Sequence, residues 1–152
     1  MQKYSVNQHL IETILAWVNS GEIAIPEIQR PFVWNTTKVR DLFDSIYRGY
    51  PVGYLLFWEN VTDKNRKDIG TDTKESSPKN LIIDGQQRLT ALFSTIKGIP
   101  IIDENYKEKR IKIAFNPLQE KFEVSNAATD KDVEYITDIS ILFKSDFSEY
   151  RF

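Results

Sequence analysis

The sequence predicts an α/β domain, of the α+β kind, in which a small mixed sheet is flanked by helices. Three observations lead to this fold class. Apolar residues recur at helical spacing in three segments, short apolar runs typical of buried strands lie between them, and two alternating segments within residues 110–124 predict a β-hairpin after the third helix. Helices and strands that are mixed in this way are typical of one compact layered domain.

Three amphipathic helices are expected. The first follows a capping box at residues 5–8, where Ser is followed by Gln three positions later. The second is capped by Asn35 or Thr36, and the third covers residues 87–97. Glycine is a common helix terminator, and the expected terminal glycines are Gly21, Gly49 and Gly98. The apolar positions that define the three helices are Leu10, Ile11, Ile14, Leu15 and Val18, then Val39, Leu42, Phe43, Ile46 and Tyr47, then Leu89, Leu92, Phe93 and Ile96.

The strands are expected between and after these helices. Residues 23–26 form a short strand, and the continuous apolar run 54–58 is typical of a strand that is covered on both faces. Residues 80–83 are expected to form the next buried strand. Residues 60–80 are rich in Lys, Asp, Thr and Ser, which predicts an exposed, mobile loop rather than a domain boundary. Residues 1–152 are therefore expected to form one domain, and the pattern stops so abruptly that we expect a fragment of a longer protein.

Composition excludes several classes of function. The chain has no cysteine and one histidine, so disulfide scaffolds and thiolate zinc sites are excluded, and a Ser-His-Asp triad is disfavoured. A net charge of -2 argues against a uniformly basic surface that coats nucleic acid, although a local basic cleft remains compatible with it. Neither a signal peptide nor a membrane-spanning run is recognisable, so a cytoplasmic protein without a membrane partner is expected.

The segment from Leu81 to Arg88 carries the most chemistry. A strand ends at Asp84, Gly85 permits a tight turn, and a helix follows whose first N–H groups bind phosphate readily. The side chains of Gln86, Gln87, Arg88 and Thr90 offer donors to an anion, and Asp84 is a candidate ligand of Mg²⁺. A common Asp-Gly turn with a capping Asp84 and a solvated Arg88 would explain the same residues, so the motif alone leaves both interpretations open.

A second polar segment precedes the second helix. Gln29 and Arg30 lie between two prolines, which predicts a stiff extended loop, and Arg30 is a candidate for the same anion as Arg88. Phe32 and Trp34 follow, and we favour packing onto the core over stacking on a base for both rings.

Together these segments resemble the N-terminal domain of GmrSD-type restriction proteins, a family related to the ParB/sulfiredoxin fold. The resemblance runs from the first helix to about residue 143 and is specific because three motifs occur in the same order. The motifs are Pro26-Glu27-Ile28-Gln29-Arg30-Pro31-Phe32-Val33-Trp34, then Asp44-Ser45-Ile46-Tyr47-Arg48-Gly49-Tyr50-Pro51-Val52-Gly53, then Ile83-Asp84-Gly85-Gln86-Gln87-Arg88-Leu89-Thr90-Ala91-Leu92.

The resemblance implies a function in bacterial defence against modified or foreign DNA. It implies a domain that binds nucleoside triphosphate with Mg²⁺ and hydrolyses it, coupled to a separate HNH-type nuclease domain or subunit. By position, it makes Asp84 and Arg88 catalytic, with Asp84 also the metal ligand. It assigns nucleotide binding to Gln29, Arg30, Gly85, Gln86, Gln87, Arg88 and Thr90. The chain stops before the helical region in which the family domain normally continues, so this piece is expected to bind nucleotide better than it hydrolyses it.

Two other functions compete with nucleotide hydrolysis. A non-catalytic module that binds DNA or senses its modification would need a concentrated basic cleft in this acidic chain. An interaction scaffold that docks a nuclease subunit would not depend on Asp84 or Arg88. No nuclease site is expected in this chain, because a single histidine does not supply the metal and base roles of an HNH site.

Overall fold

The computed structural model describes residues 3–24, 31–59 and 78–144. It divides the chain into two compact units, the first formed by Met1–Glu27 and Leu55–Asp84, the second by Ile28–Tyr54 and Gly85–Phe152. Both units mix helices with small sheets, which confirms the predicted fold class. That residues 1–152 act as one domain stays a prediction, and the loop predicted over residues 60–80 lies outside the described residues apart from its last three.

The first unit consists of one helix and a three-stranded sheet. Helix α1 covers Ile11–Ser20 and ends at Gly21, which adopts the left-handed conformation that glycine favours at this position. The sheet has β3, Asn80–Asp84, in its centre, with β1, Ile23–Ala24, parallel to it and β2, Leu56–Glu59, antiparallel. Leu15, Ile23 and Ile82 are buried and form the core of this unit.

Two predictions for the first unit are wrong. Ser5 does not cap α1, because the helix begins six residues later, at Ile11, and Leu10 is its N-cap. The strands of this sheet are not covered on both faces. Trp58 on β2 is 65% exposed and Ile83 on β3 is 52% exposed, since β2 is an edge strand and only one face of the sheet carries buried side chains such as Ile82. The continuous apolar runs therefore overstated how much of each strand is buried.

The second unit is built around two helices. Helix α2 covers Thr36–Tyr47. Its N-cap is Asn35, as predicted, and the Asn35 side chain accepts the Lys38 N–H at 2.8 Å. Helix α3 covers Gln86–Lys97 and closes at Gly98, again as predicted. The two helices pack against each other. Their buried residues are Val39, Leu42 and Phe43 on α2, and Leu89, Ala91, Leu92, Ser94 and Thr95 on α3.

Two hairpins and a short helix complete the second unit. The expected hairpin is formed by β6, Ile113–Asn116, and β7, Lys121–Val124, and α2 packs against it. A smaller hairpin, not predicted, joins β4, Ile101–Ile102, to β5, Glu108–Lys109. A 3-10 helix, Ile139–Phe143, packs against α3. None of the helices in the described ranges has the length and apolar character needed to cross a membrane.

Side-chain hydrogen bonds close the loops of the second unit. Arg110 donates to the Asp138 carboxylate at 2.8 Å and to the Ser140 hydroxyl at 3.1 Å, which fixes the start of the 3-10 helix. Asp103 accepts the backbone N–H groups of Lys107 and Asn105, and these bonds, Lys107 first, lower the pKa of its carboxyl. The loops are thus ordered by specific polar contacts and not only by apolar packing.

The observed cap at Asn35 and the wrongly predicted cap at Ser5 give a direct test of this fold. We expect Asn35→Ala to lower the free energy of unfolding by about 1 kcal/mol, because the Lys38 N–H loses its capping acceptor. We expect Ser5→Ala, at the cap that the sequence predicted and the structure lacks, to change it by less than about 0.5 kcal/mol. Urea denaturation of the two variants measures both values, and equal costs would contradict the placement of the caps.

Candidate functional site

The candidate site is the first turn of α3, which follows β3 in the chain. Asp84 is the last residue of β3 and is exposed, and α3 begins at Gln86. Gly85 between them is the N-cap and has φ 90°, a left-handed conformation that L-residues with a side chain rarely adopt. The predicted sequence of strand, glycine and helix is confirmed, and α3 presents its first turn directly after Gly85.

Gln87 binds the segment that leads into α2. Its side-chain amide nitrogen donates to the Pro31 carbonyl at 3.3 Å, and its amide oxygen accepts the Val33 N–H at 3.0 Å. Phe32, between these two residues, is buried, and its own N–H donates to the Ile102 carbonyl at 3.2 Å. Residues 31–33 are therefore hydrogen bonded on both edges, although they belong to no named strand.

Arg88 binds a different loop of the same unit. Its Nη1 donates to the Val52 carbonyl at 2.6 Å, and its Nη2 donates to the Tyr54 carbonyl at 2.9 Å. A planar guanidinium suits this pair, because its N–H groups point in fixed directions and can address two acceptors at once. Arg88 is half-buried, so the interpretation of it as a merely solvated surface cation is wrong.

Gly53 lies between the two carbonyls that Arg88 binds. Its φ is +86°, and a Cβ added here would come within 2.7 Å of Arg88 Nη1. The guanidinium is fixed by its two carbonyl acceptors, so it has little freedom to withdraw from an added methyl group. The loop therefore requires glycine both for its backbone conformation and for the space that Arg88 occupies.

The remaining predicted site residues differ in where the structure places them. Gln86 and Thr90 are half-buried on α3, and their proposed contact with nucleotide stays a prediction. Gln29 and Arg30 lie outside the described residues, so the upstream half of the predicted cleft is not described. Of the two upstream rings, Phe32 packs as expected, while Trp34 is half-buried and has the Lys38 ammonium 4.4 Å from its ring centroid.

The donor set at the motif suits only one mode of Mg²⁺ binding. Within residues 3–24, 31–59 and 78–144, no three Asp, Glu or His side chains cluster in a way that could hold a metal ion. Mg²⁺ is commonly bound in proteins through one or two carboxylates together with substrate phosphates. Asp84 supplies a single carboxylate, which that mode requires, and its role as a metal ligand stays a prediction.

Sequence reasoning missed the groups that Gln87 and Arg88 bind. These groups are backbone atoms of Pro31, Val33, Val52 and Tyr54, which side-chain chemistry does not reveal. Gly53 offered a signal, since it ends the second motif quoted above and a glycine at such a point indicates a close approach. The first turn of α3 thus joins parts of all three motifs within one unit.

Comparison with known proteins identifies a family that covers most of the chain. The family described as GmrSD restriction endonuclease, N-terminal domain, matches residues 11–151. The chain belongs to this family. It is also 31% identical over 85 residues to an uncharacterized protein of the archaeon Methanocaldococcus jannaschii, a match that covers 50% of this chain and 15% of that protein. No solved structure matches the chain significantly.

The contact between Gly53 and Arg88 can be tested by a double-mutant cycle. We expect Gly53→Ala to lower the free energy of unfolding by about 2 kcal/mol, since a left-handed alanine is strained and the added Cβ displaces the guanidinium from its acceptors. In an Arg88→Ala background the displacement no longer contributes, and only the strain, about 1 kcal/mol, remains. Urea denaturation of the four proteins in the cycle, namely the wild type, the two single variants and the double variant, measures how much the cost of Gly53→Ala differs between the two backgrounds. Strictly additive costs would mean that the new Cβ does not meet Arg88.

Proposed function

We propose that this GmrSD family domain binds a nucleoside triphosphate at the first turn of α3, as the regulatory domain of a restriction system. The observation that carries the proposal is the joining of three separate motifs at one helix start by Gln87 and Arg88. In the whole protein, nucleotide hydrolysis would control an HNH-type nuclease domain or subunit that cuts modified or foreign DNA.

The start of α3 offers the chemistry that a phosphate chain needs. A helix presents backbone N–H groups and the positive end of its dipole at its N-terminus, both of which stabilise an anion. Gly85 carries no side chain, so a phosphate can approach the backbone there closely. Helix α3 is 12 residues long and its buried face holds it in the core, so this first turn is a rigid platform.

Asp84 and Mg²⁺ belong to the same proposal. Asp84 would help to hold Mg²⁺, and the ion would supply neutralisation of the phosphate charge. Asp84 immediately precedes Gly85 in the chain and supplies an exposed carboxylate. Its second proposed role is to orient the attacking water.

Charge pairing supports nucleotide binding over general DNA binding. In the second unit, Arg40, Arg48, Arg110 and Lys121 each form an ion pair with a neighbouring carboxylate. Their positive charge is therefore largely offset locally. DNA binding depends on cations that replace the counterions of several phosphates at once. These four cations are therefore poor candidates for a DNA-binding surface, and this counts against a non-catalytic DNA-binding module that would rely on them.

Nucleotide titration tests the proposal. We expect fluorescent ATP or GTP analogues to bind the wild-type protein in the presence of Mg²⁺, and Arg88→Ala to weaken binding by about tenfold or more, as the loss of charge-assisted hydrogen bonds predicts. Arg40→Ala is the matched control, because it removes an arginine of the same unit that forms an ion pair with the adjacent Asp41 and has no predicted role in the site.

Two results would count against this function. If Arg88→Ala and wild type bind nucleotide equally, Arg88 does not belong to the site. If the wild-type protein binds none of the tested triphosphates, the proposed function itself fails. Phosphate release, measured on the same samples, separates binding from hydrolysis.

A further inference from the structure

The side chain of Gln87 takes the place of a β-strand residue. In a parallel ladder, one residue donates to the carbonyl that precedes its partner and accepts the N–H that follows it. The Gln87 amide does the same to Phe32, because it donates to the Pro31 carbonyl and accepts the Val33 N–H. The opposite edge of this segment is occupied by Ile102, whose carbonyl accepts the Phe32 N–H. Gln87 thereby completes the second edge of an extended segment.

Arg88 binds the loop at residues 52–54 in a related way. Its two terminal nitrogens donate to the carbonyls on either side of Gly53. Two consecutive side chains of α3 thus each hold a three-residue backbone segment, and the two segments are separated in sequence by the whole of α2. Both side chains donate hydrogen bonds to backbone carbonyls. Donors used in this way order a loop and are not kept available for a ligand.

We infer that Gln87 and Arg88 are positioning residues, which hold residues 31–33 and 52–54 against the first turn of α3 before any ligand arrives. The inference rests on the proposed function, because it assigns these two side chains the task of building the walls of the nucleotide site. Binding energy then comes from groups that the tethered segments and the helix backbone present. A ligand binds more tightly when such segments are ordered before it arrives, since less conformational freedom is then lost on binding.

Hydrogen exchange reads the Gln87 tether without any ligand. The variant Gln87→Met keeps the length of the side chain and removes both hydrogen bonds. In the nucleotide-free protein, we expect exchange of the Val33 amide to speed up by about fivefold or more, the factor for one lost hydrogen bond. The Phe32 amide keeps its Ile102 acceptor and is the internal control. Gln119→Met, the same substitution at an exposed position of the second unit, is the matched control variant.

Nucleotide binding then distinguishes positioning from a merely structural role. We expect Gln87→Met to weaken binding of a fluorescent triphosphate by about fivefold or more, under conditions in which circular dichroism shows it to be as fully folded as Gln119→Met. Saturating nucleotide with Mg²⁺ should restore protection of the Val33 amide in Gln87→Met. Such a restoration is required if order in the segment and nucleotide binding are coupled, because coupling between two equilibria is reciprocal.

Each outcome has one meaning. Weaker nucleotide binding with unchanged Val33 exchange would overturn the inference, since Gln87 would then contact the ligand directly. Faster Val33 exchange with unchanged nucleotide affinity would overturn it as well, because the tether would have no part in the site. If the wild type binds no triphosphate while Val33 still exchanges faster in Gln87→Met, the proposed function fails and the tether remains. Should Gln87→Met not fold, Gln87→Ala replaces it in both measurements, because its short side chain also removes the acceptor of the Val33 N–H.

Discussion

The hydrogen bonds that Gln87 and Arg88 make to backbone carbonyls are the constraint on which the second unit depends. Residues 31–33 and 52–54 lie outside the named strands, yet their peptide groups need partners wherever water is excluded. The side chains of α3 provide these partners. Each such bond contributes only about 1 kcal/mol, so the arrangement holds because α3 itself is fixed by its packing.

Helical geometry explains why these two polar side chains turn inward. Gln87 and Arg88 lie one turn before Ala91 and Leu92, and residues four apart share a helix face. Ala91 and Leu92 are buried, so the packed face of α3 continues into its first turn as a polar extension. A glutamine and an arginine at that end reach neighbouring backbone while the apolar residues beyond them fill the core. The motif therefore joins packing to polar recognition along a single stripe.

Local sequence patterns identified the elements but not the contacts between them. The cap at Asn35, the end of α3 at Gly98 and the hairpin over residues 113–124 follow from neighbouring residues, and all three were predicted correctly. The hairpin of β4 and β5 has only two residues in each strand, too few to show an alternating pattern. The bonds of Gln87 reach across 54 and 56 residues of sequence. Periodicity carries no information about partners at that distance, and backbone acceptors have no signature in the sequence at all.

The geometry also changes how the motif relates to its two original interpretations. One took Asp84 to Arg88 as an ordinary turn with a solvated arginine, and the other took every polar group as a ligand for phosphate. Arg88 in fact spans two carbonyls around a glycine that leaves room for nothing larger. A residue in that position serves the structure of the loop and the shape of the site at the same time. Phosphate recognition at α3 would then rest mainly on backbone N–H groups, which side-chain substitution cannot remove but can displace. The side chains of Gln87 and Arg88 thus determine where the backbone around the first turn of α3 lies.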